Sequence, residues 1–318
     1  MVPMAWPIMC SLAAHGCGLD IDHVMFECIE YAVLNAVQWQ AAGSRFDFDG
    51  HALFTRTGGA GDVLLLIHGF PTSSFDWALI WPQLAQKHAL HALDMLGFGL
   101  SDKPGDYPYS IHASADQWQA YVQAQGLAEV SILAHDYGNT VTQELLARQN
   151  EGRLPFHINK IIFLNGGLFP EATYPILMQK LLLSPFGPGI ARLSSYRSFS
   201  ASMKKICTQI PNEQGLRAHW QLLQRGNGKL VLPKIIQYIR ERLTYRERWV
   251  GALQQCNVPL DLINGLDDPI SGASIVKRWR ELLPDSNVVE LPGIGHYPQW
   301  EAPEQVVSAY CQLLASSD

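Results

Sequence analysis

The sequence predicts an α/β protein whose mostly parallel, doubly wound sheet is interrupted by a helical insertion. Six short segments consist mostly of apolar residues, and runs that are apolar on both faces are typical of buried parallel strands. Helical patterns lie between several of these runs, as the right-handed crossovers of a doubly wound sheet require. The alternation fails between about residues 168 and 253, where only helical patterns occur.

The predicted strands begin with a hairpin. Alternating apolar residues over Phe46–Phe54 flank Asp49-Gly50, and this dipeptide is a strong signal for a tight hairpin turn. We therefore expect an antiparallel start to the sheet. The six apolar runs that follow predict strands at Val63–Ile67, Ala89–Leu93, Val130–Ala134, Ile158–Leu164, Pro259–Ile263 and Asn287–Leu291.

The helical patterns divide the chain into regions. Helices that alternate with strands are predicted at Ile111–Gln125, Thr140–Gln149 and Pro303–Leu314. Within the insertion, helices are predicted at Tyr174–Leu183, Asn212–Gln224 and Leu230–Leu243, with breaks at Pro185-Phe-Gly-Pro188 and Asn227-Gly228. We expect an N-terminal extension over 1–44, an α/β core over 45–167 and 254–318, and a helical lid over 168–253.

Composition restricts the kind of partner. The 318 residues include 47% apolar residues, the formal net charge is −6, and no short run concentrates Lys and Arg. These features predict a small-molecule substrate and neither a nucleic acid nor a membrane as partner; they leave the oligomeric state open. The histidine positions share no ligand spacing, so no metal and no other cofactor is predicted. Six cysteines without a C-x-x-C pair predict reduced thiols and a cytoplasmic protein.

One strand-to-helix turn carries the strongest chemical signal. The predicted strand Val130–Ala134 runs into Ala134-His-Asp-Tyr-Gly138, so small residues lie two before and two after Asp136. Small residues at these places let a strained turn close and expose the central side chain, as in the G-x-S-x-G elbow. The alternative is an N-cap aspartate. His135 is expected to point away from the site, because side chains alternate around a strand end.

Asp136 is the predicted nucleophile, and its chemistry differs from that of a serine. A carboxyl group with an ordinary pKa of about 3.9 is already an anion at neutral pH, so it needs no base before it attacks. It suits displacement at a saturated carbon with a strained or good leaving group, as in an epoxide or an alkyl halide. The product of such an attack is an alkyl ester of the enzyme.

Hydrolysis of that ester needs a base, an acid that orients the base, and donors for the oxyanion. His296 follows the last predicted strand and is the predicted base. Asp268 follows the preceding strand and is the predicted acid, with the adjoining Asp267 as the alternative. The expected oxyanion donors are the backbone N–H groups of Phe70 and Tyr137, because the first lies in a loop after a strand and the second follows the nucleophile.

Five segments in this order carry a family resemblance. They are His68-Gly-Phe-Pro71, Asp94-Met-Leu-Gly-Phe-Gly-Leu-Ser-Asp-Lys-Pro104, His135-Asp-Tyr-Gly138, Gly265-Leu-Asp-Asp-Pro269 and Gly295-His-Tyr-Pro298. Over about residues 46 to 318 the chain resembles the α/β-hydrolase fold family, in its epoxide hydrolase and haloalkane dehalogenase branch, whose chain order is nucleophile, acid, histidine. The likeness to the mesoderm-specific transcript proteins is closer still, through Leu66-Ile-His-Gly-Phe-Pro-Thr-Ser-Ser74, Asn165-Gly-Gly167 and Arg248-Trp-Val-Gly-Ala-Leu253. This subgroup is hydrolase-like, and the resemblance implies no settled substrate.

The residues beside the nucleophile separate the two reactions of this branch. The resemblance implies that a halide is held by side-chain N–H donors at two positions, where this chain has Tyr137 and Phe70. Neither supplies such a donor, so epoxide hydrolysis of a small apolar substrate by water is predicted, with haloalkane dehalogenation as the alternative. Family members protonate the epoxide oxygen from a lid tyrosine, and Tyr238 is the best placed candidate; its alternative is a lid-core tyrosine. An interpretation of another class is a small-molecule receptor with the same fold and little turnover.

Overall fold

The structure is a computed structural model that describes residues 36–315, and an eight-stranded sheet forms its centre. The strands are β1 (Ser44–Phe48), β2 (His51–Gly58), β3 (Asp62–Ile67), β4 (His88–Leu93), β5 (Glu129–Ala134), β6 (His157–Phe163), β7 (Leu260–Gly265) and β8 (Val288–Leu291). Their order across the sheet is β1-β2-β4-β3-β5-β6-β7-β8. β2 pairs antiparallel with β1 and β4, and all other pairings are parallel. The predicted mostly parallel sheet is confirmed.

The hairpin between β1 and β2 follows from its turn residues. Asp49 and Gly50 have φ values of 51° and 79°. A two-residue hairpin turn that matches the twist of its strands needs positive φ at both positions, which Asp and Gly tolerate better than most residues. The antiparallel start to the sheet is therefore confirmed.

The strand β3 shows why its residues are apolar on both faces. Leu64 and Leu66 belong to one cluster of buried side chains, whereas Leu65 and Ile67 belong to another. Successive side chains of a strand point to opposite faces of the sheet, so both faces of β3 are covered. Because these strands are parallel, their carboxyl ends meet at a common edge of the sheet, where ligands bind in open α/β sheets.

Helices flank the sheet on both sides and fill the insertion. Before the insertion come α1 (Ala36–Ala41), α2 (Trp81–Leu84), α3 (Ile111–Ala124) and α4 (Tyr137–Asn150). Between β6 and β7 come α5 (Leu177–Leu183), α6 (Gly187–Leu193), α7 (Tyr196–Ile206), α8 (Glu213–Gln224), α9 (Gly228–Ile235), α10 (Tyr238–Thr244) and α11 (Arg246–Gln255). After β7 come α12 (Ala273–Leu282), α13 (Pro298–Glu301) and α14 (Pro303–Ala315).

The helices of the insertion are shorter and more numerous than the sequence pattern predicts. The predicted helix Leu230–Leu243 is two helices, α9 and α10, because the N–H groups of Gln237 and Ile239 bond only three residues back, to Lys234 and Ile236. The predicted break at 185–188 contains the start of α6 instead. Pro188 lies in the first turn of α6, where its missing N–H costs no helical hydrogen bond. No sequence pattern predicted α7 or α11.

The chain joins the core before residue 45, where the predicted extension ends. Trp39 is buried and its indole N–H donates to Ser74 Oγ at 3.2 Å. The guanidinium of Arg56 lies 3.9 Å from the centre of the Trp39 ring, a cation–π contact. The rest of the predicted extension, 1–35, lies outside the described residues. Between residues 36 and 315 no helix has the length and apolar character needed to cross a membrane.

Candidate active site

Asp136 lies at a sharp turn between β5 and α4. Its φ and ψ are 46° and −103°, a conformation that residues other than glycine seldom adopt. The N–H of Asp136 donates to the Asn165 carbonyl oxygen at 2.8 Å, and its side chain makes no capping bond to α4. A Cβ on Gly138 would lie 2.3 Å from the Ile67 carbonyl oxygen, so no larger residue fits there. This geometry is that of a strained strand-to-helix turn and not of an ordinary N-cap.

The two oxygens of the Asp136 carboxylate have different neighbours. The side chain is buried, and the Phe70 N–H donates to Oδ2 at 3.1 Å. Nη2 of Arg242 lies 3.6 Å from Oδ1. Tyr137 is the first residue of α4, and the first N–H groups of a helix have no acceptor within it. Of the two predicted oxyanion donors, the Phe70 N–H therefore contacts the carboxylate directly. Tyr137 is the first residue of the helix that follows Asp136.

His296 is paired with Asp268 and not with Asp267. Nδ1 of His296 lies 2.7 Å from Asp268 Oδ2, and both side chains are buried. Asp267 is exposed, and its Oδ1 accepts the N–H of Gly293 at 3.4 Å. The structure thus brings the preferred acid to the predicted base, while the alternative acid faces solvent.

The electrostatics of this pair depend on burial and on mutual attraction. Burial opposes the charged form of both groups, but the charge of Asp268 and its hydrogen bond raise the pKa of His296 to about 9. The charge of Asp136 adds to this rise. The imidazolium and its hydrogen bond in turn lower the pKa of Asp268 against the effect of burial. The pairing therefore favours the charged form of both groups.

Asn165 connects the acid to the nucleophile turn, a role that the sequence did not indicate. Its carbonyl oxygen accepts the Asp136 N–H, and its Nδ2 donates to Asp268 Oδ2 at 3.1 Å. Its Oδ1 accepts the N–H of Gly265 at 2.7 Å, which ties the end of β6 to the end of β7. The segment Asn165-Gly-Gly167 contributed to the family resemblance, but only contacts between distant strands show what Asn165 does.

His135 contacts His296, so the expectation that it points away from the site is wrong. The two ring centroids are 5.2 Å apart, and His135 Nε2 lies 2.8 Å from the His296 carbonyl oxygen. Burial lowers the pKa of His135 to about 3, so the neutral ring donates one N–H to that carbonyl. Strand alternation does not apply, because β5 ends at Ala134.

Two residues of α10 reach the nucleophile turn. Nη2 of Arg242 donates to the Asp136 carbonyl oxygen at 2.9 Å, and its Nε donates to Thr140 Oγ1 at 2.8 Å. The Tyr238 ring packs against the Tyr137 ring at 5.0 Å and lies 4.5 Å from the Arg242 guanidinium. Among residues 36–315, the buried Tyr238 hydroxyl has no hydrogen-bond partner of good geometry. Tyr238 was a predicted site residue; Arg242 was not, because a charged residue in a helical pattern normally faces solvent.

An apolar cavity of about 750 Å³, its open mouth included, extends from the site into the insertion. The core contributes Phe70, Pro71, Ile270 and His296 to its lining, and most other lining residues are apolar side chains of the insertion. Its few polar lining residues are Gln179, Ser194, Ser198 and Ser202. A cavity of this kind binds apolar ligands and excludes water from their reacting atoms.

Few side chains in the described part of the chain are arranged for metal binding or disulfide formation. In residues 36–315 there is no group of three or more His, Cys, Asp or Glu side chains arranged to bind a metal ion. Cys207, Cys256 and Cys311 are free thiols. The cysteines at 10, 17 and 28 lie outside the described residues.

Comparison with known proteins agrees with the fold and the resemblance. A family model described as the alpha/beta hydrolase fold matches residues 62–303. The chain is 39% identical over 280 residues to LipZ of Mycobacterium tuberculosis, covering 87% of this chain and 97% of LipZ. It is 38% identical over 294 residues to the mesoderm-specific transcript homolog protein of Bos taurus, covering 87% of each.

Solved structures show the same architecture. An alpha/beta hydrolase fold protein from Burkholderia ambifaria superposes with a TM-score of 0.73 at 24% identity, covering 85% of this chain and 97% of that one. The epoxide hydrolase CorEH superposes with a TM-score of 0.68 at 19% identity, covering 87% and 99%. At these identities the likeness concerns the fold alone.

Proposed function

We propose that this chain, which belongs to the alpha/beta hydrolase fold family, hydrolyses small apolar epoxides through a covalent ester on Asp136. The observation that carries the proposal is a buried carboxylate at the elbow, with the Phe70 N–H on one oxygen at 3.1 Å. The paired His296 and Asp268 lie within electrostatic reach of this carboxylate. A carboxylate in this place attacks carbon without a base.

In the first half-reaction, Oδ1 of Asp136 attacks a ring carbon of the epoxide, and the bond from that carbon to the ring oxygen breaks. The electron pair goes to the ring oxygen, which takes the proton of the Tyr238 hydroxyl. Burial raises the pKa of Tyr238, so its hydroxyl carries this proton at neutral pH. Oδ2, held by Phe70, becomes the carbonyl oxygen of an ester whose neighbouring carbon bears a hydroxyl group.

Formation of the ester prepares His296 for the second half-reaction. The charge of Asp136 is one of the causes that hold the pKa of His296 at about 9, and esterification removes that charge. The pKa of His296 then falls, and the imidazolium passes its proton to the Tyr238 phenolate. A neutral imidazole, oriented by Asp268, is the base that the next step requires.

In the second half-reaction, His296 takes a proton from water, and the hydroxide attacks the ester carbonyl carbon. The Phe70 and Tyr137 N–H groups stabilise the oxyanion. Collapse breaks the ester bond to the alkyl oxygen, and the proton of the new carboxyl group moves to that oxygen. A vicinal diol leaves, and Asp136 and protonated His296 are restored, so that one epoxide and one water give one diol.

Arg242 supports this cycle as a positioning residue. Burial of a carboxylate without a partner costs much free energy, and the guanidinium of Arg242 compensates the charge of Asp136. Its bonds to the Asp136 carbonyl and to Thr140 fix the turn against α10. Through Arg242 and Tyr238 the insertion acts as a lid that completes the site.

The side chains beside the nucleophile favour epoxides over alkyl halides. Phe70 has no side-chain donor, and the hydroxyl of Tyr137 bonds with Ser114 Oγ at 2.8 Å, away from the carboxylate. A departing halide would therefore receive no side-chain N–H from either of these two positions, whereas an epoxide oxygen needs only the proton of Tyr238. A receptor with little turnover would not need the paired imidazole and carboxylate.

The decisive experiment traps the ester. His296→Gln protein is mixed with styrene oxide, other apolar epoxides and 1-bromoalkanes, and intact mass and peptide mass spectra are recorded. We expect a stoichiometric adduct on the peptide that contains Asp136 with an epoxide, and steady diol release by the wild type. Asp136→Ala, the control, forms no adduct and no diol.

Diol production by Asp136→Ala at the wild-type rate would refute the nucleophile, and bromide release without diol formation would identify the dehalogenase alternative. Ligand-dependent thermal stabilisation without any product would identify the receptor.

A further inference from the structure

The outer surface of the insertion carries nearly all the exposed apolar side chains of the described residues. Nine large hydrophobic side chains between 36 and 315 are strongly exposed, and eight of them lie between 174 and 245. Leu177, Phe186 and Leu193 are 67%, 77% and 84% exposed. Large exposed apolar patches on a soluble domain mark contact surfaces.

The insertion also has a charge opposite to that of the remaining chain. Residues 168–253 contain 13 Lys and Arg against 4 Asp and Glu, a balance of +9. The remaining residues contain 10 against 25, a balance of −15, and the two together give the net −6. The charge of the whole chain therefore conceals a basic region.

Five of the eight exposed apolar side chains and three exposed basic ones lie on or beside one group of packed helices. α5, α6 and α9 pack on one another. We define the docking face as the exposed residues on and beside these helices. They are Leu177, Lys180, Leu181, Phe186, Arg192, Leu193, Arg197 and Leu230. Lys229 bonds to the Ser194 carbonyl oxygen at 3.1 Å, which holds the start of α9 against the end of α6.

The docking face adjoins the polar part of the cavity lining. Ser194 and Ser198 line the cavity. Each directly follows a residue of the docking face, Leu193 and Arg197 respectively. The same cavity is lined by Phe70 and His296 of the site. The cavity therefore connects residues beside the docking face to Phe70 and His296.

We propose that the docking face binds the surface of an anionic phospholipid bilayer. Leucine and phenylalanine side chains on such a face enter the boundary between headgroups and acyl chains, while Lys and Arg pair with anionic headgroups. The basic charge favours an anionic bilayer over a neutral one, and the acidic core turns away from it. The proposal replaces, for this face, the expectation from whole-chain charge that no membrane is a partner.

The test measures co-sedimentation of the full chain with vesicles of phosphatidylcholine, with and without phosphatidylglycerol. We expect binding to the anionic vesicles only, and loss of binding in high salt. Arg192→Glu with Arg197→Glu is expected to weaken binding at least tenfold, since each basic residue near an anionic surface contributes about fivefold. Phe186→Ser with Leu193→Ser is expected to weaken it by about tenfold or more. The matched control, Lys87→Glu with Lys277→Glu, changes two exposed lysines outside the insertion. Its affinity for the anionic vesicles should stay within twofold of wild type.

Several results would overturn the proposal. They are failure of the wild type to bind at low salt, equal binding to neutral vesicles, or unchanged binding of either double variant. Self-association through this face without vesicle binding would assign it to a second copy instead. Folding of each variant is checked by its melting temperature and by turnover of a water-soluble epoxide. Vesicle binding does not depend on the proposed chemistry, so Asp136→Ala should bind vesicles like wild type even if the proposed function fails.

Discussion

The sheet core and the helical insertion contribute to one site in different ways. The core supplies Asp136, Asp268 and His296 from the turns and loops that follow β5, β7 and β8. The insertion supplies Arg242 and Tyr238 from a single short helix, and the carbonyl oxygen of Ile206 accepts the His296 N–H. In the proposed mechanism, the groups that form and hydrolyse the ester therefore come from the core, and those that compensate charge or deliver a proton come from the insertion.

Surface character separates the same two regions. The core is acidic, whereas the insertion is basic and carries the exposed apolar side chains. Under the two proposals above, the insertion handles the approach of an apolar substrate, while the core handles its reaction. Substitutions that act on one region and leave the other unchanged test this division.

The largest expected effect concerns the core acid. Asp268→Asn should lower kcat by about 10⁴-fold, because the amide no longer orients His296 or stabilises its protonated form. Ester formation in the first half-reaction should remain fast, so stopped-flow and mass measurements should show an accumulating adduct. The matched control is Asp267→Asn, whose exposed side chain makes no contact with His296, and it should retain wild-type kcat. Equal loss in both variants would contradict the assignment of the acid.

A stability comparison contrasts the buried core with the exposed insertion. Leu262 is fully buried in β7, and Leu262→Ala should cost about 2–5 kcal/mol of unfolding free energy through lost burial and a cavity. Leu193 is 84% exposed, and Leu193→Ser should change that free energy by less than about 0.5 kcal/mol. Urea denaturation measures both. A large loss for Leu193→Ser would show that another part of the protein covers the docking face.

The next effect concerns the cation that the insertion places beside Asp136. Arg242→Gln should lower kcat/KM by about 100-fold, because the Asp136 carboxylate loses a compensating charge and its backbone carbonyl loses a donor. Arg242→Lys should restore part of the rate, since an ammonium keeps the charge and loses the guanidinium geometry. Arg217→Gln, on the exposed face of α8, is the control. An equal loss in Arg242→Gln and Arg242→Lys would reduce Arg242 to a packing residue.

The smallest expected effect concerns the proton donor. Tyr238→Phe should slow epoxide opening by about 10- to 100-fold, because water must then protonate the alkoxide. Hydrolysis of the trapped ester should be less affected, since the base for that step is His296. Single-turnover rates of ester formation and decay measure the two steps separately. Equal slowing of both would assign Tyr238 to packing between Tyr137 and Phe70.

The two regions also differ in how well sequence predicted them. All six apolar runs became parallel-sheet strands within a residue or two, because a buried strand must be apolar on both faces. In the insertion, three predicted helices became seven, and α6 began inside a predicted break. Short helices of this kind are stabilised mainly by their packing on each other, so where each one begins and ends depends on contacts between them.

The sequence by itself determined the sheet, the elbow residue Asp136 and the order of acid and histidine after it, because these depend on local patterns next to strands. Only the tertiary structure shows that Asp268 and not Asp267 contacts His296, that Asn165 links distant strands, and where Arg242 lies. Arg242 bonds to a carbonyl 106 residues earlier in the chain. Such a contact exists only after the chain has folded, because no local pattern records which buried charge a distant side chain will meet.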